Sequence, residues 1–139
     1  MSDHHTAVAK ELADKAIGFD ADRNYREARL SWQKASDYAD LHLAGADIYY
    51  WIKSGYGAAL LEDGDYERSI EVSKLALDWC RKFAQPLPSL TIAKASLKLG
   101  DRKNALIHVR AAHRLIGDGV FDQLDPADRE MMRRDSRTG

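Results

Sequence analysis

The feature that most constrains how this chain can fold is a spacing of small and large residues that recurs after three helix-breaking segments. One copy runs Arg23-Asn24-Tyr25-Arg26-Glu27-Ala28 and continues to Trp32 and Ala35. A second runs Gly64-Asp65-Tyr66-Glu67-Arg68-Ser69 and continues to Ser73 and Ala76; a third runs Gly100-Asp101-Arg102-Lys103-Asn104-Ala105 and continues to Val109 and Ala112. In each, a small residue is followed four positions later by a packing residue and three later by Ala, which places all three on one face of a helix. Such units cannot bury their apolar faces alone, so repetition predicts stacking of successive copies. The rest of the chain is Ala, Leu, Lys, Glu and Arg at helical spacing, with no alternating strand pattern. Breaks fall near residues 21–24, 62–65, 85–88, 99–101 and 117–119, where Gly, Pro, Asp and Asn gather.

Small side chains let the second helix of a hairpin lie close against the first, and an aromatic just after the turn closes the angle between them. Gly64-Asp65-Tyr66-Glu67-Arg68-Ser69-Ile70 with Ala76-Leu77, preceded at seven residues by Gly57, resembles the turn and second helix of the tetratricopeptide repeat (TPR) family. Ala16 and Ala93 take the place of Gly57 in the other copies, and Arg102 stands where the third copy would carry its aromatic. The intervals from Ala28 to Ser69 and from Ser69 to Ala105 both exceed the ~34 residues of the standard repeat, similar to the long-helix variants in kinesin light chain and the Rap-type bacterial regulators. The resemblance implies an all-α fold of three TPR-like hairpins in a right-handed α-solenoid. Asp125-Pro126 followed by Asp128 and later arginines predicts a seventh helix capping the last hairpin. The expected layout is a flexible segment over residues 1–7, one domain over 8–134 and a disordered tail over 135–139.

The 139 residues suffice for one core without a metal or a disulfide, and the lone Cys80 excludes an intrachain disulfide. Residues 44–52 form the longest apolar run, yet it contains Asp47 and ends at Lys53, far short of the ~20 residues of a membrane span. No apolar run of signal-peptide length follows the N-terminus, so the expected compartment is the cytoplasm. Net charge is -1, but residues 37–80 hold nine acids against three bases, and residues 81–139 twelve bases against seven acids.

Nothing in the chain has the pattern of a catalytic or metal centre. His4-His5 falls in the expected flexible segment, His42 has no neighbouring ligand in sequence, and His108 and His113 are off a single helical face. Cys80 beside Trp79 reads as a core thiol. Gly55-Tyr56-Gly57 lacks the strand and Lys-Ser/Thr pair of a phosphate loop. We expect no enzyme activity and no cofactor.

The TPR resemblance implies that the first helix of each hairpin lines a groove, presenting Lys10, Ala13, Ile17 and Ala21, then Trp51, Ser54, Ala58 and Glu62, then Leu87, Leu90, Lys94 and Lys98. The basic and Asn residues of the family's carboxylate clamp are missing, with Ala13, Ile17, Gly55, Leu87 and Thr91 at those positions. Tyr49-Tyr50-Trp51 cannot all face one core. At least one ring must point elsewhere: Tyr49 and Tyr56 are assigned to packing, and Tyr50 or Trp51 to the groove side. The expected partner-binding set is Asp40, Asp47, Tyr50, Trp51, Ser54, Glu62 and Asp63, an acidic-aromatic surface for a specific protein with a basic face. The expected role is a bacterial immunity protein neutralising a toxin, possibly a nuclease, with a secretion chaperone or adaptor as alternatives. A runner-up from a different class is nucleic-acid binding through Arg102, Lys103, Arg110, Arg114, Arg129, Arg133, Arg134 and Arg137, where Phe121 is the one aromatic ring after Phe83, too few for a stacking platform.

Overall fold

The computed structural model describes residues 2–138, and these are all-helical. The helices are α1 (Ser2–Ala21), α2 (Tyr25–His42), α3 (Asp47–Glu62), α4 (Tyr66–Lys74), α5 (Leu77–Lys82), α6 (Leu87–Lys98), α7 (Arg102–Ile116), α8 (Gly119–Asp122) and α9 (Pro126–Arg137). Helix α1 packs on α2, α3 on α4 and α6 on α7, and successive pairs meet through α2 with α3 and through α4 and α3 with α6. No helix among the described residues is long and apolar enough to cross a membrane.

The sequence repeat has a backbone counterpart. The turns at residues 22–24, 63–65 and 99–101 share one conformation, with a left-handed residue at the centre: Arg23 (φ 59°), Gly64 (φ 86°) and Gly100 (φ 78°). The following residue then donates its N–H five residues back, from Asn24 to Phe19 O (2.9 Å), Asp65 to Leu60 O (2.9 Å) and Asp101 to Ser96 O (2.8 Å). Each closes a Schellman-type helix end that satisfies otherwise orphaned carbonyls. Asn24, Asp65 and Asp101 share φ near -90° and ψ of 73–77°, and the two aspartates cap the next helix by accepting from the N–H of Arg68 and of Asn104. The third turn therefore matches the other two despite Arg102.

Ala28, Ser69 and Ala105 are fully buried, as are Ala35, Ala76 and Ala112. In the middle pair the approach is closest: Ser69 Oγ donates to Gly57 O at 2.7 Å, and Ser73 stands where any Cβ on Gly57 would project. One apolar cluster joins α1, α2 and α3 around Trp32, Ile52 and Leu60; another joins α6 to α9 around Val109, Phe121 and Met132.

Three expectations are corrected. Helix α1 begins at Ser2, so residues 4–7 are helical instead of flexible; His5 lies flat on His42 and bonds Tyr38 Oη, which ties this turn to α2. Helix α9 continues to Arg137 because Asp135 is held by Arg102 (2.6 Å) and its carbonyl accepts from Arg110, so residues 135–137 are not a free tail. Met1 and Gly139, also in those expected segments, lie outside the described residues. Six repeat helices and a cap become nine elements among the described residues because α8 intervenes and the helix after Tyr66 breaks at Leu75–Ala76. There the N–H groups of Leu75 and Ala76 bond only three residues back, which tightens the turn and re-aims α5.

Candidate functional site

The re-aimed α5 brings the chain's third tryptophan to the other two. Trp32 on α2 packs edge-on against Trp51 on α3, with ring centroids 5.7 Å apart, while Trp32 Nε1 donates to Asp20 at 3.0 Å. Trp79 on α5 donates its Nε1 to Asp47 at 2.9 Å, lies parallel to Tyr50 at 6.2 Å and touches Phe83 at 5.0 Å. Between them runs an open trough made of two adjoining depressions of about 250 and 300 Å³ that share Trp51 and Trp79. Ile17 and Lys10 of α1 form one wall, and Leu87 with Gln85 the other. Trp51 is 38% exposed, and Ile17, Phe83 and Leu87 are likewise left open to solvent.

The floor is closed by Ser54, Gly55 and Cys80. Burial pushes the Cys80 thiol up to about 11, against the opposing effect of a hydrogen bond with Ser54, so it is protonated at neutral pH and has no nucleophilic thiolate. Gly55 is required by its neighbour: a Cβ there would lie 2.5–2.7 Å from the Trp32 ring.

The structure divides the sequence-predicted site. Asp47, Tyr50, Trp51 and Ser54 come together at the trough, although Ser54 is buried floor and not contact surface. Tyr49 and Tyr56 pack against the core as expected. Asp40 lies elsewhere, paired at 2.7 Å with Lys53, a lysine only 5% exposed that also donates to Ser36 Oγ at 2.6 Å. Asp63 is held at 2.9 Å by Arg29, which also reaches Asp65 at 3.3 Å; the Asp63 bond holds the Arg29 guanidinium above its ordinary range. Glu62 is exposed but fifteen residues from Asp47 on α3, roughly 22 Å along the helix, beside Tyr66, Lys94 and Lys98. Ala13 and Leu90, expected in the groove, are buried in the two cores.

Trp79 and Phe83 were missed by sequence reasoning. Their i, i+4 spacing would place both rings on one face of a helix, but the break at Leu75–Ala76 that turns this face toward Asp47 leaves no mark in the sequence. The internal pairing of Asp40 yields a direct check. Asp40→Ala leaves a buried ammonium with only Ser36 Oγ and the Tyr49 ring face and is expected to cost about 2 kcal/mol in urea denaturation, reduced from a fully buried pair because Asp40 is half exposed. Lys53→Met should be near neutral, since a flexible apolar chain fills the same space. An Asp40→Ala protein of unchanged stability would return Asp40 to the surface set.

The histidines also differ from expectation: His42 does have a neighbour, since His5 stacks on it at 4.1 Å with His4 beyond. Partial burial and then the nearby His42 and His4 hold His5 below its ordinary value. Among the described residues no group of three His, Cys, Asp or Glu has metal-site geometry. At the basic C-terminal end several arginines fasten α9: Arg102 pairs with Asp135, Arg129 donates to the carbonyls of Phe121 and Leu124, and Arg133 lies over the Phe121 ring.

No protein-family model matches the chain, and no curated protein is found to resemble it in sequence.

Proposed function

We propose that this chain is a TPR-like protein-binding module whose tryptophan trough takes an apolar anchor from a partner protein. The observation that carries the reading is the convergence of Trp32, Trp51 and Trp79 on an open apolar depression, with Ile17, Phe83 and Leu87 exposed around it. Aromatic rings held rigid by hydrogen bonds and packing lose little entropy on binding, the property that concentrates binding energy in a few residues. Asp14 shares the exposed face of α1 with Lys10 and Ile17, Asp47 lies at the trough itself, and Asp78 projects beside Trp79. This acidic margin suits a partner segment that combines an apolar side chain with basic neighbours. Within this class we propose an inhibitor of immunity-protein type acting on a basic toxin such as a nuclease. Support for the charge component is narrower than the sequence implies, because Asp40, Asp63 and Asp65 are neutralised internally.

The test is to recover the partner by co-purification from the native host and measure binding kinetics with single variants. Trp51→Ala should raise the dissociation rate tenfold or more, the ~2 kcal/mol of an interface anchor. Asp14→Lys should mainly slow association and weaken its salt dependence. Equal melting temperatures establish that both proteins are folded. Wild-type kinetics in both would remove the partner from the trough.

A further inference from the structure

Residues Leu77 and Arg81 are offset by two positions from Trp79 and Phe83, so they occupy the opposite face of α5 from the trough. On that face α5, α6 and α7 enclose a separate cleft of about 530 Å³, within the size range of small-molecule sites. Leu77, Ile107 and Leu115 supply an apolar wall, with Ile107 53% exposed. Arg81 and Arg114 border the same cleft, and no acidic residue lines it. Arg81 has only a 3.9 Å contact with Asp78, and Arg114 enters no ion pair among the described residues.

His108 also lines the cleft; its Nδ1 is sealed from solvent, and its Nε2 makes no hydrogen bond among the described residues. Burial, then the charge of nearby Lys74, holds this imidazole below its ordinary range, so it is neutral at pH 7. The cleft thus brings a neutral imidazole beside two guanidiniums with no strong internal partner. With its proton on Nε2, the ring nitrogen that is not sealed off, His108 supplies a third donor. Three donors beside an exposed apolar wall match one ligand chemistry, an anionic head group carried on an apolar body.

We propose that the cleft between α5, α6 and α7 is a second binding site, for a small amphipathic anion whose head group is held by Arg81, Arg114 and His108 while its apolar body covers Ile107 and Leu115. The site is independent of the trough and of the partner assigned to it. The probe is decanoate, kept below its micelle concentration and titrated into the full chain by calorimetry, with NMR of the histidine ring signals. Saturable one-site binding should shift the His108 ring signals and leave those of His5 and His42 in place. Acetate, which has the head alone, and decanol, which has the body alone, should each bind at least tenfold more weakly. Arg114→Ala should lose tenfold or more, the scale of a charge-assisted hydrogen bond. Ile107→Asp, at an exposed position that tolerates substitution, should lose as much, because the apolar body would have to cover a carboxylate. Decanol binding as tightly as decanoate, unmoved His108 signals, or variants that bind like wild type would each overturn the site. Capture by phosphatidylglycerol vesicles with no binding of monomeric decanoate would assign the surface to a membrane and overturn the small-ligand reading.

Discussion

Deleting residues 125–139 is expected to lower the melting temperature by about 10 °C or more, from a stability loss of at least ~3 kcal/mol. Helix α9 lies against α7 and α8 and inserts Met132, which is fully buried beside Val109, Val120 and Phe121. Its removal opens that cluster to water, and loss of a buried Met side chain alone costs about 2–5 kcal/mol. The Arg102–Asp135 pair and the two bonds from Arg129 to the carbonyls of Phe121 and Leu124 disappear with it. Met132→Ala tests the same packing without truncation and should retain most of the effect. Thermal unfolding followed by circular dichroism checks both, and a melting temperature unmoved by the deletion would mean that α9 contributes nothing to the last pair.

Two glycine-to-alanine changes are expected to act with opposite sign. Both sites are inside helices, where Ala is favoured over Gly by roughly 0.5–1 kcal/mol. At Gly18 a Cβ meets nothing within 4 Å, so Gly18→Ala should raise stability by about that amount. At Gly55 the new methyl would lie 2.5–2.7 Å from the six-membered ring of Trp32, which is buried and tied to Asp20. The indole must move, and overpacking of this kind costs about 1–3 kcal/mol. The expected net loss for Gly55→Ala is about 1–2 kcal/mol. A displaced Trp32 would also intrude on the trough, so its fluorescence should change together with the urea midpoint. Stabilisation at Gly55 equal to that at Gly18 would show that the ring yields freely and that the trough is not rigid.

The sequence by itself determined the local and repetitive part of the structure. Helix periodicity and the Asn24, Asp65 and Asp101 turns act through neighbours within a few positions, and the small residues Ala28, Ser69 and Ala105 recur at a fixed offset from those turns, so spacing alone announces three equivalent turns. That Tyr49, Tyr50 and Trp51 cannot all face one core followed on the same ground, because consecutive helical residues diverge by a fixed angle; which of them meets the trough was decided by the packing of α5. Tertiary structure alone decided which acids remain available. Asp40 and Asp63 look as solvated as Asp47 in the sequence, yet Lys53 and Arg29 reach them from other helices. It also decided where α5 points: a break of one turn at Leu75–Ala76 carries Trp79 to Asp47, thirty-two residues away in the chain. Charge pairing and ring stacking between helices depend on how the helices are oriented, and orientation is set by the summed packing of the whole chain, which no window of sequence contains.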